Sequence, residues 1–143
     1  MIRHIKHQDE TLAIIVSHRF CEEGIHFFTP SEYSQQLAYM QHPAGKKIEP
    51  HLHNAVKRNI TYTQEVLFIK KGKLRVDFYS SGQSYLESHV LGSGDVILLI
   101  TGGHGFEVLE DLEMIEVKQG PFVGEQDKTR FDGVSPENIN IKD

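Results

Sequence analysis

Apolar residues along this chain come in short runs separated by turn-forming residues. Runs over 12–16, 25–28, 36–41, 65–70, 73–79, 85–91, 96–100, 104–109 and 112–117 are rich in Val, Ile, Leu, Phe and Tyr. Such short, β-branched and aromatic stretches suit strands. In the clearest of them Leu74, Val76 and Phe78 alternate with Lys73, Arg75 and Asp77, and Ile115 and Val117 alternate with Glu116 and Lys118. Side chains of a strand point alternately to its two faces, so this pattern predicts one buried and one polar face. No segment keeps a helical period over about ten residues. Lys70-Lys71-Gly72 reads as a tight hairpin between two strands, and Ser80-Ser81-Gly82 as a longer turn. Many short strands joined by glycine-rich turns predict an all-β sandwich or barrel.

The pattern stops at Gly120. From there the chain is polar, with Pro121, Gly124, Gly133 and Pro136 and no strand alternation. Residues 120–143 are expected to form a tail that wraps the barrel or reaches a partner subunit, or else simply to fray at its last residues.

Composition narrows the function classes. A chain of 143 residues is one domain by size and buries a core without disulfides. Its net charge of -5 and scattered Lys and Arg pairs offer no basic face to a phosphate backbone, so no nucleic acid is expected. Cys21 is the sole cysteine and has no intramolecular partner. Together with the lack of a secretory pattern at the N-terminus, this predicts a cytoplasmic protein. The longest apolar run, 96–100, is too short to cross a bilayer, so no membrane is expected.

Nine histidines stand out for a chain of this size. His4, His7, His18, His26, His42 and His89 sit in polar or irregular contexts and read as surface or outer-shell residues. His4 and His7 have helical spacing. His51-Leu52-His53 differs, because residues two apart on a strand share a face, where two imidazoles can reach one ion. Glu65 opens an apolar run, and a carboxylate in such a place needs a partner. A metal ion is one, and an ion pair with Lys57 or Arg58 is another. His104 follows Gly102-Gly103 and precedes Gly105, glycines that allow a sharp bend and close approach.

Gly45-x5-His51-x-His53 with Glu65-x6-Gly72 resembles the first motif of the cupin superfamily, and Gly94-x7-Gly102-x-His104 resembles the second. The likeness spans about residues 36–118. It departs from the family pattern in two places. Eleven residues separate His53 from Glu65, where the family has a spacer of a few. The turn before His104 lacks the family's proline and is one residue shorter. The resemblance implies a double-stranded jelly-roll barrel over about 36–118, with N-terminal strands at 12–28, in one domain. It also implies one divalent transition metal (Fe, Mn, Ni, Zn or Cu) held by His51, His53, Glu65 and His104.

Arg58, Tyr39, Tyr62 and Phe106 are the candidate pocket residues. Arg58 reads either as a clamp for a carboxylate or phosphate or as a solvated loop arginine. Three imidazoles and one carboxylate leave an ion with net positive charge and an open position. The expectation is a metal-dependent isomerase, epimerase or dioxygenase on a small sugar or organic acid. The alternative is a non-catalytic cupin that binds a metal or sugar. A homodimer is expected through strand 12–16 or the tail, since open sheet edges seek partners.

Overall fold

A computed structural model describes residues 1–143. Strand covers 46% of the chain and helix 5%, as the short apolar runs predict. The chain divides into two compact units. One comprises residues 1–20 and 62–143, the other residues 21–61.

The larger unit is a curled, half-barrel sheet of seven strands. β1 (Ile2–His7) and β2 (Glu10–Val16) form a hairpin, with Gln8 at positive φ in its turn. His4 and His7 therefore lie on a strand rather than a helix. β2 is buried from Leu12 to Val16 and pairs on its other side with β7 (Val96–Leu99). β6 (Tyr85–Gly92) forms a hairpin with the end of β5 (Glu65–Tyr79) across the turn at residues 80–84, as predicted. β8 (Gly103–Lys118) runs antiparallel to the whole of β5. The core is made by Leu67, Ile69, Leu74, Val76 and Phe78 of β5 with Leu12, Ala13, Ile15, Leu91, Ile97 and Leu99 around them.

The hairpin expected at Lys70-Lys71-Gly72 does not exist. Residues 65–79 are one strand, and 103–118 are another. The glycine marks a bend instead. Ladder register slips between Ile69 and Lys71, between Lys71 and Lys73, and between Lys73 and Leu74. Such bulges bend a strand and increase its twist. Gly72 has φ 85°, and a Cβ there would lie 2.1 Å from the Asp111 carbonyl oxygen. Only a residue without a side chain lets β8 pass so close.

This bend closes the half-barrel. Glu65 begins β5, and His104 is the ladder partner of Phe78 near its end. Thirteen residues of straight strand would span about 43 Å. Glu65 and His104 nevertheless meet side chain to side chain at 3.4 Å. The β5–β8 ribbon therefore folds back on itself and brings its two ends together.

The outward face of β5 is not solvated as alternation suggested. Arg75 and Asp77 are 9% and 6% exposed. They form a two-pronged ion pair at 2.7 and 3.0 Å, which Glu107 joins at 2.6 Å. Ser88 donates to Asp77 and shares a hydrogen bond with the Tyr85 hydroxyl, which accepts from the Asn140 backbone. The tail thus wraps the sheet. It adds two short 3-10 turns and a two-residue strand, β9 (Ile141–Lys142), parallel to β6.

The smaller unit contains the hairpin of β3 (Gly24–Phe27) and β4 (Ala38–Gln41). Residues 42–61 carry no regular structure, and no residue from 21 to 61 is buried.

Candidate functional site

The closed ends of the β5–β8 ribbon place a carboxylate and an imidazole face to face. Glu65 Oε2 lies 3.4 Å from His104 Nε2, and Lys118 Nζ lies 3.9 Å from Oε1. Lys118 is there because it is the ladder partner of Glu65 on β8. Glu65 is 7% exposed. The hydrogen bond with His104 holds its carboxyl below the usual carboxylate range; burial opposes this, and the charges of His104, Lys118 and Lys128 reinforce it. The group is an anion at neutral pH, which is the state a metal or a cation requires.

The turn before His104 has a steric requirement at Gly102. Gly102 has φ 71°, and a Cβ there would meet the Tyr79 carbonyl oxygen at 2.6 Å and Leu12 at 2.8 Å. Asp95 fixes the preceding turn, where its carboxylate accepts from the Gly92 and His18 backbone and from His18 Nδ1. Burial raises the Asp95 pKa, but these donors outweigh it and the net direction is down.

Among the pocket candidates, Phe106 lies beside the pair. Its ring centroid is 5.2 Å from that of His104, and it faces Val76 across the ladder. Tyr62 precedes β5 and is exposed, 64%.

His51 and His53 belong to the smaller unit. They do not sit on a strand, so the face-sharing argument from strand geometry does not apply. Pro43, Pro50 and a run of polar residues break any ladder there. Their rings are nonetheless neighbours, with centroids 5.2 Å apart. His51 Nδ1 is 3.0 Å from the Glu49 carbonyl oxygen. A carbonyl only accepts, so Nδ1 is the donor in this contact. Tyr39, on β4, donates to the Gln41 side chain. Arg58 is exposed and reaches only the Val56 carbonyl.

The donor chemistry suits a divalent ion. Two donors each about 2.1 Å from one ion, at a tetrahedral angle, lie about 3.4 Å apart, the separation of Glu65 and His104. A backbone carbonyl holding Nδ1–H, as at His51, is a contact that orients metal-ligating histidines. No group of three or more His, Cys, Asp or Glu side chains is drawn together in metal-binding positions here.

One functional candidate escaped the sequence reading. His89 was grouped with the surface histidines, yet it is 3% exposed. Its Nε2 lies 3.0 Å from Glu87, and its Nδ1 is buried with no hydrogen-bond partner. His89 pairs with Val76 on β5, which pairs on its other side with Phe106. The imidazole therefore shares the inner face with Phe106 and His104. Strand alternation carried the signal, because His89 is two residues from the core residue Leu91.

Comparisons with protein-family models, with curated proteins and with solved structures found no match.

Proposed function

We propose that this chain is a cupin-type jelly-roll protein that binds one divalent transition metal and acts as a metal-dependent enzyme on a small polar substrate, a sugar or organic acid. The observation that supports this reading best is the Glu65–His104 pair: a buried, ionised carboxylate and an imidazole, held at the separation of two ligands on one ion by the closure of a long ribbon. The His-x-His motif alone proposes His51 and His53 as further ligands, through its resemblance to the cupin pattern.

A bound ion of this kind supplies Lewis acidity, or a place for oxygen, at an open coordination position. The chain's own residues do the rest. Glu65 offsets the charge of the ion, Phe106 walls one side of His104, and Lys118 adds its positive charge beside Glu65. These features serve an isomerase, an epimerase or a dioxygenase alike.

Elemental analysis of protein purified without a histidine tag or chelator tests the metal. About one transition ion per chain is expected, and Glu65→Ala, His104→Ala and the His51→Ala/His53→Ala double variant should each lose it. Unchanged metal content in all three variants, or none in the parent, would end the metal claim. Oxygen uptake or turnover on sugar-phosphate and organic-acid panels tests the enzyme. Ligand retention without turnover would move the protein to a binding role.

A further inference from the structure

The tail touches the chain on both sides of the candidate site. Thr63, two residues before Glu65, donates to Asp127 of the tail at 3.4 Å. Gln119 donates its backbone N–H to the carbonyl of Gln64, the residue immediately before Glu65, at 2.9 Å. At the other member of the pair, the ring of Phe131 packs edge-on against Tyr79, with centroids 5.1 Å apart. It also covers Gly103, the residue immediately before His104. A Cβ on Gly103 would lie 2.9 Å from the tip of the Phe131 ring and 3.2 Å from Tyr79. The tail is pinned just beyond, where Val134 donates its N–H to the Tyr79 hydroxyl at 3.0 Å. Tyr79 is itself the ladder partner of Gly103.

We propose that residues 119–134 are a strap that sets the spacing of Glu65 and His104, and that Phe131, seated on Gly103 and Tyr79, is its positioning residue. The physical reason is the closure of the ribbon. Glu65 and His104 belong to different strands and meet only because the ribbon bends back. No ladder hydrogen bond joins their strands at that point, since Glu65 pairs with Leu99 and Lys118, and His104 with Phe78. The strap supplies a tie across the gap, with one anchor beside each residue. The second glycine before His104 has its own explanation here. Gly103 has no positive φ to satisfy; it is small because the Phe131 ring occupies the place of its side chain. The positive charge of Lys128, between the two anchors, also acts on Glu65.

The strap's relevance to metal affinity rests on the reading of Glu65 and His104 as ligands; its effect on their geometry does not. The test uses the full chain and zinc as the probe, with Phe131→Ala, Phe131→Leu and Gly103→Ala variants. Zinc affinity is read by competition with a chromophoric chelator, and backbone amide exchange by NMR. Phe131→Ala should weaken zinc binding about tenfold, as loss of an outer support does. It should also speed exchange at Gly103, His104 and Gly105, while the β2 and β7 amides keep their protection. Phe131→Leu should restore most of both effects. Gly103→Ala, which displaces the ring with the tail sequence intact, should move both in the same direction as Phe131→Ala.

Loss of protection in the tail of Phe131→Ala, with unchanged exchange at Gly103–His104–Gly105 and unchanged zinc affinity, would overturn the strap. Absence of zinc binding in the parent would overturn the metal reading alone. The exchange data at His104 would then decide the strap by themselves.

Discussion

Glu65 shows how one residue can be read correctly in kind and not in context. A carboxylate opening an apolar strand demands a partner, and it has two, His104 and Lys118. The depressed pKa of Glu65 carries a pH dependence. A carboxyl whose folded pKa lies below its unfolded value, about 4.3, adds stability above that value and loses it as pH falls through the folded pKa. Glu65→Gln, which removes a charge-assisted hydrogen bond, should cost about 2 kcal/mol at neutral pH. The difference from the parent should vanish on acidification below the ordinary carboxylate range. Urea midpoints measured at pH 7 and at successively lower pH check this, and a gap that persists in acid would contradict the ionic account. His104 was legible from its glycines. His89 was legible only through its alternation with Leu91, which marks its face of β6 as the inward one.

The β5–β8 ribbon is the element that organises the molecule. Its strand character was plain in the apolar runs, but each long strand reads as two short ones, because a central polar patch, Lys70-Lys71-Gly72 in β5 and Glu110-Asp111 in β8, resembles a turn. The difference is physical. A hairpin glycine reverses the chain, whereas Gly72 admits the Asp111 carbonyl at a bulge and the strand goes on. Gly72→Ala meets both that carbonyl and a positive φ, so it should destabilise by about 2–3 kcal/mol. A change under about 0.5 kcal/mol in chemical denaturation, the range of neutral surface substitutions, would show that the bulge relaxes. The same ribbon buries Arg75 and Asp77 where alternation suggested solvent. Asp77→Ala leaves a guanidinium with only Glu107 and should cost about 3 kcal/mol. Replacing both, as Arg75→Met with Asp77→Leu, should cost less than Asp77→Ala, since no buried charge is then stranded. A double-mutant cycle measures this, and a double variant as unstable as the sum of the singles would refute the coupling.

At the scale of the whole molecule, burial is uneven. Buried residues line β2, β5, β6 and β7, and none lies between 21 and 61. Amide protection follows buried contacts, so the β3–β4 hairpin and residues 42–61 should exchange well before β2, β5 and β7. Uniform protection across the chain would contradict this distribution. No helix is long and apolar enough to span a bilayer. What the amino-acid order determined alone was the all-β class, most strand positions, the apolar set of the core, and the identity of Glu65 and His104 as unusual residues, because periodicity, propensity and turn chemistry are local properties. What only the tertiary structure decided was that strands 65–70 and 73–79 are one, that the polar tail is a packed part of the larger unit, and that Glu65 meets His104. Those outcomes depend on a bend that brings residues thirty-nine positions apart into contact, and no local pattern records the angle of a bend.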